Sequence, residues 1–97
     1  MELSTIRVVL ARVVPTHDTP LTSAAGPLVK NLIRTHAEPS DGLEHLTVRP
    51  EGSGLDLYFF VRSASEAASF AQVQALLDRV GGPGGPLAEH GYAPLRG

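Results

Sequence analysis

A chain of 97 residues, 42% hydrophobic and 19% charged, has the composition of a globular protein and room for one domain. A formal net charge of −2 argues against a general nucleic-acid binder, because phosphate contacts need clustered cations. The absence of cysteine excludes a disulfide framework and a thiolate metal site.

The basic residues are Arg apart from a single Lys, Lys30, a bias that reads as high-GC coding rather than as a phosphate site. The apolar run from Ile6 to Val14 is interrupted by Arg7 and Arg12, and it is too short to span a bilayer. It also lacks the features of a signal peptide. A cytoplasmic protein without a membrane partner is the expectation.

Residues 5–14, rich in β-branched side chains and ending at Pro15, predict a strand. Both parities of this segment are largely apolar, which predicts a central strand covered on both faces. A turn-rich loop follows and carries His17 and Asp18. The spacing of Ala25, Leu28, Leu32 and His36, with Val29 and Ile33 beside them, predicts a helix over 23–36. An N-cap at Ser23 puts Pro27 in the first turn, where it is tolerated.

Residues 44–49 and 55–62 both alternate and are joined by a turn at 50–53, the best-marked hairpin of the chain. Ser63 and Glu66 have the spacing of a capping box. The helix it opens carries Ala67, Phe70, Val73, Leu77 and Val80 on one face and stops at Gly81 and Gly82. Residues 81–86 read as a flexible Gly/Pro connector within a single domain spanning 1–97. Residues 90–95 read as a short last strand, confined to an edge by Pro94.

The order strand, helix, strand, strand, helix, strand resembles a ferredoxin-like α+β fold: four antiparallel strands in the order 4-1-3-2, with two helices on one face. In that arrangement Ile6, Val8, Leu10, Leu46, Val48, Leu55, Leu57, Phe59 and Val61 are expected beneath the helices. Arg7, Val9, Ala11, Val13, His45, Thr47, Arg49, Asp56, Tyr58, Phe60 and Arg62 are expected on the open face. An apolar patch there is larger than soluble monomers usually leave wet. It predicts an interface formed by Val9, Val13, His45, Arg49, Tyr58, Phe60 and Arg62, with the partner a second copy or another protein.

Chemical motifs are weak throughout. Four histidines, His17, His36, His45 and His90, are separated by the fold, so no metal site is expected. His17 and Asp18, on a loop, are the best acid/base pair, but no nucleophile pattern accompanies them. The glycine-rich run 81–86 follows a helix, lacks lysine and contains two prolines, which removes it as a phosphate loop. No cofactor motif is present.

Tyr58 and Phe60 resemble the stacking pair of RNA-recognition domains, yet the glycine-aromatic pattern is missing and the first strand has no aromatic. The preferred expectation is therefore a non-enzymatic interaction or accessory module. The alternative is a small dimeric α+β-barrel enzyme or ligand binder, with a pocket between sheet and helices reached beside His17.

Overall fold

The computed structural model describes residues 4–16 and 20–95, so His17 and Asp18 lie outside the described residues. Four antiparallel strands form one sheet: β1 (Thr5–Pro15), β2 (Leu43–Glu51), β3 (Gly54–Ser63) and β4 (Tyr92–Pro94). Their spatial order is β2-β3-β1-β4, the ferredoxin-like order expected from the sequence, read from the other side. Three helices pack on the sheet: α1 (Ala25–His36), α2 (Glu66–Gly81) and the single turn α3 (Pro86–Glu89).

The hairpin is tighter than its sequence suggests. Glu51 pairs with Gly54, which leaves only Gly52 and Ser53 as the turn. Gly52 has φ +59°, a conformation that two-residue hairpins demand and side chains resist. Near the start of β2 an irregularity between Leu43 and His45 shifts the register. From there on the alternation holds: Leu46 and Val48 pair with Phe59 and Leu57, and His45 and Thr47 with Phe60 and Tyr58.

α1 starts at Ala25, later than the sequence reading, and its N-cap Ala24 makes no side-chain cap. Ser23 therefore does not cap it. Thr22 Oγ1 instead accepts from the Ala24 amide at 3.3 Å. Pro27 is then the third helical residue, whose amide would have no partner within the helix in any case. The buried stripe of α1 runs through Ala25, Gly26, Val29 and Ile33. α2 is capped by Ser65, whose hydroxyl accepts from the Ala68 amide at 3.0 Å, so the expected Ser63–Glu66 box does not form. Ser63 Oγ donates to the Ser65 carbonyl and braces the cap from behind.

The core lies between sheet and helices. Phe59, Leu46, Leu55 and Leu57 from the sheet meet Val29 and Ile33 of α1 and Leu76 and Val80 of α2, all with at most 1% exposure. Each such side chain contributes roughly 1.5–3 kcal/mol by leaving water. Leu87 of α3 and Tyr92 of β4 are also buried, which ties the C-terminal segment to the core. The stretch read as an open connector thus leads directly into an ordered turn of helix that the sequence reading did not contain.

Three expectations about faces need correction. In β1 the phase is inverted: Val9 and Val13 pair with Phe59 and Leu55 and are buried beneath the helices, while Ile6, Val8 and Leu10 are exposed on the opposite face. Nor is β1 covered on both sides within one chain. The cause is register. The inward parity of β3 is unambiguous, and pairing Val9 with Phe59 brings the odd residues of β1 inward with it. In α2, Phe70 is 53% exposed, and Leu76 takes the core place expected of it.

Candidate functional site: the open face of the sheet

The face turned away from the helices is built in rungs by the pairing of β1, β3 and β2. Leu10 lies opposite Tyr58, which lies opposite Thr47; Val8 lies opposite Phe60, which lies opposite His45. The His45 and Phe60 rings are tilted against each other with centroids 5.5 Å apart. Ile6, Val8 and Leu10 are 50%, 49% and 64% exposed, and Tyr58 and Phe60 are partly buried beside them. Five large apolar or aromatic side chains therefore form one contiguous stripe with no helix over it.

Charged pairs close the stripe at both ends. At one end Arg12 Nη1 donates to Asp56 Oδ1 at 2.6 Å, and its Nη2 donates to the Glu51 carbonyl at 2.5 Å. Arg12 therefore fastens β1 to β3 and to the hairpin. At the other end Arg62 Nε lies 3.8 Å from Glu44 Oε2. Arg49 sits opposite Asp56 on the outer strand. The charges on this face are thus largely balanced within the chain.

Of the residues expected at an interface, Tyr58, Phe60, His45, Arg49 and Arg62 lie on this face as anticipated. Val9 and Val13 do not, because they belong to the core. Ile6, Val8 and Leu10 replace them, and the stripe becomes more apolar than expected. The signal for this was present in the Arg12 and Asp56 pair: a salt bridge across β1 and β3 fixes even residues of β1 to the outer parity of β3.

A second polar cluster lies at the end of the molecule where α1 finishes. A 3-10 turn over Pro39–Asp41 follows α1, and within it Asp41 is buried. Its carboxylate accepts from the Glu38 amide at 2.7 Å and from Arg79 Nη2. That hydrogen bond pushes the Arg79 guanidinium above its ordinary pKa, against the opposing effect of desolvation. Gln72 Nε2 adds hydrogen bonds to the carbonyls of Asp41, at 2.9 Å, and Arg62, at 3.1 Å. Arg79 and Gln72 thus join the turn to α2, and Gln72 joins it to β3 as well, so the arrangement is that of a clamp.

The remaining candidates stay apart. His36 Nδ1 donates to the Leu32 carbonyl at 2.8 Å, one turn back in α1, and His90 Nδ1 does the same to Pro86 at 2.9 Å. A concavity of about 390 Å³ beside the 3-10 turn has Arg34, Glu38, Glu44 and His45 on its walls. Two of those carboxylates are engaged: Glu38 lies 3.8 Å from Arg79, and Glu44 faces Arg62. Among the described residues no three His, Asp or Glu side chains converge as a metal site would require. Among them, too, no helix is long and apolar enough to cross a membrane.

A groove of about 620 Å³ runs between the outer side of α2 and β1, lined by Leu10, Ala11, Phe70, Val73, Leu77 and Leu95 among others. On β1, Arg7 Nε is shielded from solvent with no hydrogen-bond partner among the described residues. Comparison with protein-family models, with curated proteins and with solved structures finds no match.

Proposed function

We propose that this chain is a non-enzymatic interaction module that associates through the open face of its sheet, most simply by stacking on a second copy, sheet against sheet. The observation that carries this reading is the uncovered stripe of Ile6, Val8, Leu10, Tyr58 and Phe60. Apolar surface of this kind gains free energy on leaving water, and aromatic anchors near a patch centre are the residues that dominate binding. A second copy offers a stripe of the same character. The charge pairs at its ends are neutralised internally and call for no oppositely charged partner.

Sedimentation equilibrium of the wild type against Phe60→Glu and Tyr58→Glu tests the reading. Each substitution sets an unpaired carboxylate in the stacked interface and is expected to raise the dissociation constant at least about tenfold. Both side chains point away from the core, so thermal unfolding of the dilute variants should stay near that of the wild type. A wild type that is monomeric into the high micromolar range, or variants whose stoichiometry and dissociation constants all equal those of the wild type, removes the proposal.

A further inference from the structure

The two borders of the sheet are treated very differently. β2, at one border, carries the register irregularity near its start, Pro50 near its end and the exposed charges Glu44 and Arg49. These are the devices that keep a strand edge from pairing with another chain. The other border is formed by the short β4, which reaches only Val13, Val14 and Pro15 of β1. Just beyond it, the Leu95 amide donates to the Arg12 carbonyl at 2.7 Å. From Ala11 back to Thr5, β1 has no described strand on its outer side.

Backbone groups alternate along a strand, so their direction follows from that last hydrogen bond. The carbonyl of Arg12 points to the outer side, and β1 pairs with β3 without interruption from Thr5 to Val13. The N–H and C=O groups of Ile6, Val8 and Leu10 therefore point outward as well, along an edge with neither proline nor lysine. The groove beside α2, with Phe70 and Leu95 on its rim, runs along the same edge.

We infer that this edge is a second interface, in which residues 5–11 of two copies pair antiparallel about a two-fold axis at Val8. The register follows from exclusion. An axis at Arg7 would set two guanidinium groups opposite each other. An axis at Val9 would carry Ile6 of one copy onto Arg12 of the other, whose carbonyl Leu95 already holds. An axis at Val8 pairs Val8 with Val8 and Ile6 with Leu10 on the open face, and it matches the midpoint of 5–11, the segment with no described strand beside it. All outward groups of Ile6, Val8 and Leu10 then find partners, and the helix side of each paired segment lies next to the groove of the other copy.

Residues paired across a sheet share a face, so the helices of both copies lie on one side of a continuous eight-stranded sheet. The stripe of each copy then continues into that of its neighbour. This contact goes beyond face stacking and does not require it, since Phe60 and Tyr58 lie on β3, away from the edge.

The cysteine-free chain gives a clean test by single substitution. Mild oxidation of Val8→Cys, made in the Phe60→Glu background to weaken stacking, is expected to give a disulfide-linked dimer. Ile6→Cys and Leu10→Cys should each cross-link poorly alone and efficiently when mixed. Val8→Pro removes an outward N–H that β3 does not use, so circular dichroism should report a folded chain while sedimentation shows this association step lost. Phe60→Glu alone should keep it. Association unchanged in Val8→Pro, or Val8→Cys cross-linking no better than Ile6→Cys, overturns the edge contact and leaves face stacking to its own test. Association lost in Phe60→Glu but kept in Val8→Pro assigns the contact to the face and likewise overturns the edge.

Discussion

Asp41 shows how one buried carboxylate organises a corner of the molecule. It is 4% exposed and accepts from the Glu38 amide and from Arg79, while its own carbonyl accepts from Gln72. The next residue, Gly42, has φ +65°, and a Cβ there would lie 2.6 Å from the Arg62 carbonyl oxygen, so the chain turns into β2 where only glycine fits. Asp41→Ala strands the Glu38 amide and leaves Arg79 without its nearest anion. Because Arg79 is partly solvated, the expected loss is about 1–3 kcal/mol, read from the urea midpoint. Asp41→Asn, which keeps an acceptor for the Glu38 amide, should lose less. Equal losses in both variants would mean that the charge, rather than the hydrogen bonds, holds the turn. None of this is legible in the sequence: Pro39, Ser40, Asp41 and Gly42 are ordinary turn residues, and the partners Gln72 and Arg79 come from a helix some 30 or more residues away.

At the level of elements, the hairpin was legible because β3 has only one apolar parity that continues unbroken, and β2 follows it. β1 was not. Its odd residues include Val9 and Val13 and its even residues Ile6, Val8 and Leu10, with one arginine within each set, so alternation alone does not choose a face. Pairing chooses it: Val9 opposite Phe59 and Arg12 opposite Asp56 satisfy both faces at once. The consequence is measurable. Val9→Asp buries a carboxylate among Phe59 and the helices and is expected to cost about 3–5 kcal/mol. Val8→Asp, one residue away on a half-exposed site, should cost less than about 1 kcal/mol at concentrations where the chain is dilute. The reverse order in urea unfolding would restore the original phase. The end of α2 at Gly81 and Gly82 was legible, but the α3 turn was missed for a different reason. Glycine and proline mark breaks in the sequence, but only the burial of Leu87 and Tyr92 shows that the chain folds back onto the core after them.

The order of elements settled the topology, because a first strand joined by a helix to a hairpin has few ways to return to the sheet without breaking the handedness rule. The surface left over by that topology was legible only in outline, since which apolar residues remain outside depends on a register that no single strand encodes. With the register in hand, the molecule has a one-sided architecture: helices shelter one face of the sheet, while the other carries apolar side chains between charge pairs that are already satisfied. Association through such a face should depend on water rather than on ions. Raising sodium chloride from about 0.05 to 0.5 M shortens the Debye length from more than about 10 Å to less than about 5 Å. It should leave the dissociation constant of the wild type unchanged or slightly lowered, because a formal charge of −2 per chain gives only weak mutual repulsion to screen. Dilution calorimetry over a range of temperatures should give a negative heat-capacity change for association, the mark of buried apolar surface. A dissociation constant that rises steeply with salt would transfer the binding to Arg12, Arg49 and Arg62. The stripe between them would then be a bystander.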